Sequence, residues 1–300
     1  MEEEKQQHTN IVAKIWKVIY VPLMYMGFQI VVPVIVIFAF ILISVIRMTL
    51  EGNVITDPAL ISQVAISFLE DNLLLLALLS ALACMPLAYF IWSRDRKKLE
   101  KSTKQIKPLD ILIIITIGFC TGIILEGLLI IISMFVDMTP YINSYKNLSN
   151  IFISSGIIIQ ILYIIIVGPL IEEIIFRGIV FNRLRRYGMK LWMAIGVQAV
   201  FFGVYHLNFY QGIIGVILGV ILAIIYNKTK TLWVPIIVHM SYNAIVLIIA
   251  IFLQGKELSI TIFSGVMITA VALMAVCARI LYNRYKLVNT AQEETFIEKQ

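Results

Sequence analysis

From Gly27 onward the chain is a succession of apolar runs, each about twenty residues long, separated by short polar and mostly basic segments. A run of that length spans the hydrocarbon core of a bilayer as an α-helix. Inside hydrocarbon the backbone has no water to bond, so every N–H and C=O must be satisfied within the segment, and helices follow. A composition of 60% hydrophobic and 14% charged residues over 300 residues excludes a water-soluble domain. The expected fold class is therefore all-α, a polytopic membrane helical bundle of about eight transmembrane helices with both termini cytoplasmic. The runs place spans at about 27–47, 72–93, 109–136, 151–175, 190–207, 210–226, 231–253 and 260–282, the sixth short enough to be tilted or partly interfacial. A polar and amphipathic leader (1–26) precedes the membrane domain (27–285). A polar C-terminal tail (286–300) follows and reads as disordered after Asn289.

The distribution of charge supports this layout. With the N-terminus inside, twenty Lys and Arg fall on the inner side and only Arg47, Lys146 and Lys256 on the outer side, as the positive-inside rule requires. The net charge of +6 is thus a topology signal, and no nucleic-acid partner is expected. MEEEKQQHTN lacks a basic n-region, so no cleavable signal peptide is expected. Ile11, Ile15, Val18 and Ile19 alternate with Lys14 and Lys17 as in an interfacial amphipathic lead-in. The segment Asp137 to Asn150 reads as a polar outer loop. Cys84, Cys120 and Cys277 lie singly in apolar runs and suggest neither disulfides nor a metal knuckle. Gly118 with Gly122 and Gly215 with Gly219 are spaced as helix-packing faces.

Ionisable groups inside such runs are costly and need partners. The stretch GPLIEEIIFRGIVFNRLRR, from Gly168 to Arg186, carries Glu172 and Glu173 directly after an apolar run, and Arg177 beyond them. On a helix Glu173 and Arg177 are i and i+4 and can neutralise each other. Glu172 points about 100° away and is left to face a cavity. An ion-paired helix end at the membrane surface is the plainer reading of the same residues.

His206 and His239 also lie in apolar segments. Phe202 stands one turn before His206, where its ring can pack on the imidazole face; His239 and Asn243 share one face of the seventh span. Buried polar groups satisfy each other most easily by converging on one polar cavity. A carboxylate beside an imidazole can orient and deprotonate water, while a second imidazole and a carboxamide can donate to the oxygen that becomes negative. These parts suffice for peptide hydrolysis without a covalent intermediate; no Ser or Cys is placed as nucleophile. The same residues admit a second reading, a zinc ion held by Glu172, His206 and His239, although the helical HExxH spacing is absent. Glu126, alone in the third span, is either a protonated or hydrogen-bonded helix contact or part of the cavity.

Glu172–Glu173 through Arg177 resembles the EExxxR motif of the CPBP family, also called Abi, which unites CAAX prenyl endopeptidases with bacteriocin-processing and immunity proteins. Phe202 and His206 are similar to its FxxxH motif, and His239 and Asn243 to its HxxxN motif. The resemblance covers roughly residues 150–250 and implies an intramembrane protease. Prenylated CAAX substrates are the eukaryotic use of the family; the Ile- and Lys-rich composition points instead to a low-GC bacterium, so the expectation is a multi-pass protein of a bacterial plasma membrane that hydrolyses a membrane-associated peptide or protein tail. It implies that Glu172 with His206 activates water, that His239 and Asn243 form the oxyanion site, and that Glu173 and Arg177 are structural or substrate-positioning. No cofactor is expected on this reading, since His239 and Asn243 make a donor pair better than a ligand pair. The rivals are a non-catalytic scaffold or immunity protein on the same fold, and a transporter with an intramembrane proton relay, for which paired interrupted helices are lacking.

Overall fold

A computed structural model of the chain describes residues 2–51, 58–96, 106–253 and 259–297. The described residues are helical throughout apart from short connections. The helices are α1 (Glu2–Leu50), α2 (Pro58–Arg96), α3 (Pro108–Ser133) and α4 (Thr139–Ser154). They continue with a composite rod α5 (Ile157–Arg186), then α6 (Leu191–Tyr205), α7 (Phe209–Thr229), α8 (Trp233–Phe252) and α9 (Ile260–Ile297). Seven of these are long and apolar enough to cross a membrane, α6 being shorter and α4 polar. The chain is a polytopic helical bundle.

The rod α5 is its axis. Ile171, Ile175, Phe176, Arg177, Ile179 and Val180 are all fully buried. α1 and α9 lie at the periphery, where Ile30, Val34, Phe38, Ile268 and Val276 remain exposed and suit lipid. α7 packs along α6, and α3 packs against both α8 and α9. The expected glycine pairs are these contact faces. A Cβ on Gly219 would lie 2.9 Å from Ala199 Cα, and one on Gly118 would lie 2.5 Å from the Val238 carbonyl oxygen. Neither position has room for a side chain, and close backbone approach is how helices gain packing contact in lipid.

Several boundaries differ from expectation. The interfacial lead-in is not a separate element: α1 runs unbroken through it, and Val18, Val21 and Tyr25 pack into the core. The segment expected as an outer loop forms α4, because Tyr141, Ile142, Tyr145 and Phe152 recur at helical spacing. The tail expected to be disordered is helical as far as Ile297, where Ala291, Gln292, Glu293 and Glu294 are good helix formers continuing α9. The short element is not the sixth run but the fifth. α7 has 21 residues and α6 only 15, about 22 Å of rise against roughly 30 Å of hydrocarbon. Leu207 breaks the helix with φ 51°, and the Asn208 side chain accepts the Gln211 N–H at 3.1 Å to start α7. The expectation of two cytoplasmic termini depends on α6 counting as a crossing.

Candidate active site

α5 departs from a plain α-helix twice, and both departures frame the acidic pair. Ile161–Val167 and Ile174–Phe181 are π-helical, with the α-helical turn Gly168–Glu173 between them. Wide turns of this kind are rare and concentrate at functional positions. In the first of them the Gly168 N–H bonds to Tyr163 O, five residues back. Gly168 is required there, because a Cβ would sit 2.8 Å from that same oxygen. The next donor in this register would be residue 169, bonding Ile164 O, but Pro169 has no N–H. The freed carbonyl is taken by Asn243 of α8, whose Nδ2 donates to it at 2.7 Å. The Gly–Pro pair thus fixes a side chain on another helix.

Glu173 and Arg177 form the expected pair. Arg177 Nη1 donates to Glu173 Oε1 at 2.5 Å, and both side chains are fully buried. Arg177 does more than neutralise an acid. Its Nη2 donates to Gly219 O of α7 at 3.2 Å, and its guanidinium lies 4.5 Å over the Phe202 ring of α6. Glu173 Oε1 also accepts from His239 Nδ1 at 3.0 Å. The pair therefore joins α5 to α6, α7 and α8. Phe202 thus meets Arg177 with its ring face, and it is also in contact with His206. The two rings meet edge to face, centroids 5.0 Å apart, and Phe202 meets His239 similarly at 5.8 Å.

Glu172 is left without a hydrogen bond among the described residues. It faces a cavity of about 460 Å³ that His206, His239, Asn243, Phe202 and Glu126 also line. His239 Nε2 is 3.8 Å from Glu172 Oε2, its Nδ1–H being held by Glu173. His206 Nδ1 lies 2.8 Å from Phe202 O, a carbonyl that only accepts, so this nitrogen carries the proton and Nε2 is free to accept. No hydrogen bond joins Glu172 to His206 directly among the described residues. Simple counting puts His206 at the outer end of its span, too far from His239. The short α6 removes the mismatch: about 22 Å of helix brings His206 only partway across.

Among the described residues no three His, Cys, Asp or Glu side chains stand close enough to hold a metal ion. Glu172, His206 and His239 line one cavity but do not form a three-ligand set.

Gln29 of α1 and Tyr163 and Tyr205, none singled out from sequence, complete the wall near Glu172. Gln29 has a buried amide nitrogen and is set beside the Tyr163 and Tyr205 hydroxyls. An amide inside an apolar run was the available signal. The tyrosines gave none, since tyrosine in such runs ordinarily reads as packing or membrane-interface belt.

Residues 154–245 match the family model for type II CAAX prenyl endopeptidase, Rce1-like. YdiL of Bacillus subtilis (strain 168), whose name proposes a membrane peptidase, is 37% identical over 83 residues, 28% of this chain and 34% of that protein. MroQ of Staphylococcus aureus (strain USA300), named a membrane-embedded CAAX protease, is 36% identical over 103 residues, 33% of this chain and 42% of that protein. The chain thus matches less than half the length of either relative. No solved structure matches it. Residues 154–245 are thus similar to type II CAAX prenyl endopeptidases, in line with the motifs that resemble the CPBP family, and parts of the chain are similar to two bacterial membrane proteins; the long apolar helices make the chain a multi-pass membrane protein.

Proposed function

We propose that the protein is an intramembrane endopeptidase that hydrolyses a peptide bond in a membrane-associated peptide or protein tail. The observation that carries this is the free Glu172 carboxylate, facing a cavity between two imidazoles whose Nδ1 atoms are both engaged and whose Nε2 atoms are not. A water held between Glu172 and the accepting Nε2 of His206 gives its proton to Glu172 as it attacks the carbonyl carbon. The proton can pass to His239 Nε2, 3.8 Å from the carboxylate. The ring then carries protons on both nitrogens and donates to the oxyanion. Asn243, with one amide hydrogen on Ile164 O, offers the other to the same oxygen. Collapse of the intermediate returns a proton to the leaving amine. The names of the family and of MroQ support a tail-like substrate.

The test compares cells carrying wild type or Glu172→Gln at equal expression, by mass spectrometry of new peptide termini in the membrane fraction. Termini present with wild type and absent with the variant support hydrolysis. Matching profiles, in cells that still differ from a deletion strain, would overturn it and favour a scaffold. Purified protein with and without chelator then separates metal-free from metal-dependent chemistry.

Pro169→Ala tests how Asn243 is held. An alanine N–H would compete for Ile164 O and release Asn243. The expected result is a drop of about a hundredfold in kcat, the lower end of what losing one oxyanion donor costs, with thermal stability unchanged or raised, since proline is the poorest helix former. Unchanged kcat would detach Asn243's position from the Gly–Pro turn.

A further inference from the structure

The cavity has a second acidic wall that the hydrolytic chemistry does not use. Glu126 of α3 lines it with a carboxylate that makes no ion pair among the described residues. Its hydrogen-bond partner is the Tyr210 hydroxyl of α7, at 3.1 Å. Tyr210 in turn stacks on Tyr145 of α4, centroids 4.6 Å apart and planes 18° apart. Tyr242 of α8 lines the same cavity. Four helices thus bring one acid and three aromatic rings to one end of the space that Glu172 faces. A bond between Glu126 and Tyr210 is a sufficient helix contact, but a glutamine would serve as well, and an uncompensated carboxylate inside a membrane-length run is costly. What the charge adds is attraction for a cation, and tyrosine rings around it add to that attraction.

We infer that Glu126, with Tyr145, Tyr210 and Tyr242, forms a subsite for a positively charged group of the substrate, a Lys or Arg side chain or a free amine. A cavity of this volume spans on the order of 10 Å, about three residues of extended chain. The charged group therefore lies within about three residues of the cleaved bond. The inference rests on the endopeptidase reading for what the occupant is, though not for whether a cation binds.

The test uses the full chain in nanodiscs with Glu172→Gln, so that binding is read without turnover. Fluorescent apolar decapeptides carry Lys, norleucine or Glu at each position in turn, with the N-terminus free or acetylated. At one position Lys is expected to bind about tenfold tighter than norleucine, a scale ordinary for one desolvated charge pair. A dependence on acetylation instead would identify the amine as the occupant. Adding Glu126→Gln, which keeps an acceptor for Tyr210, should erase the preference, and Glu126→Lys should turn it toward Glu. Equal binding of Lys and norleucine at every position, with no effect of acetylation, would overturn the inference, as would a preference that survives Glu126→Gln. The same peptides are then offered to protein with Glu172 intact. Charge-selective binding without any cleavage would sink the endopeptidase reading and leave the cation site standing. Cleavage indifferent to charge would do the reverse.

Discussion

Glu172→Gln is expected to lower kcat by at least about a thousandfold, within the range that loss of a general base costs, while the protein remains folded with an unchanged melting temperature. The second half of that expectation follows from the site. Glu172 makes no hydrogen bond among the described residues, and its oxygen nearest His239 is 3.8 Å away. An isosteric amide therefore removes a proton acceptor and little else. The neighbouring carboxylate behaves oppositely. Glu173 holds Arg177 and His239 through one oxygen, so Glu173→Gln should lose stability as well as activity. Single-turnover cleavage of a peptide found by the terminus search, with thermal melting of the same nanodisc samples, separates the two. His206→Ala should also cost activity. Combined with Glu172→Gln it should cost little more, because groups that act on one water do not contribute additively. A Glu172→Gln protein within tenfold of wild type would remove Glu172 from the chemistry.

The difference between adjacent glutamates was legible in the sequence because it needs only helix geometry: spacing of four pairs Glu173 with Arg177 and turns Glu172 aside. His206, His239 and Asn243 were legible because polar groups in hydrocarbon stand out. What stayed hidden depends on contacts between helices. Nothing in the order of residues says that Pro169 frees the carbonyl Asn243 needs, since two π-helical turns set that register. Nor does it show that Phe202 meets Arg177 with its face. The fold was read well where apolar runs end in charge, as at Arg94 and Lys107. It was read less well where a helix stops short of the length a span needs. The break after α6 has only Leu207 and the Asn208 cap to mark it, and hydropathy does not register a cap. α4 was missed for a related reason: its composition is polar, and its amphipathic period is visible only when a helix is already in mind.

Arg177→Ala is expected to be the most destabilising single change in the site. Removing one partner of a buried ion pair leaves an uncompensated charge and costs about 3–5 kcal/mol in proteins generally. Here the side chain also donates to Gly219 O and lies over Phe202. Its loss therefore loosens the contact between α5 and the α6–α7 pair as well as freeing Glu173. Gly219 O keeps a second donor, Gln198 Nε2 at 2.9 Å, so the α6–α7 contact itself should persist while α5 detaches from it. Arg177→Lys preserves the charge but not the fork that reaches two acceptors, and should recover only part of the loss. The informative comparison is a cycle with Glu173→Gln. If the role of Arg177 is mainly to neutralise Glu173, the double change should be less damaging than Arg177→Ala alone, because no charge is left buried. If the contacts to α6 and α7 dominate, the double change should be as damaging as the single one. Thermal melting and yield of monodisperse protein read both. Arg177→Ala at wild-type stability would mean that the pair does not hold the bundle. The EExxxR motif would then matter through His239, whose Nδ1 Glu173 holds and whose Nε2 faces the reacting carboxylate.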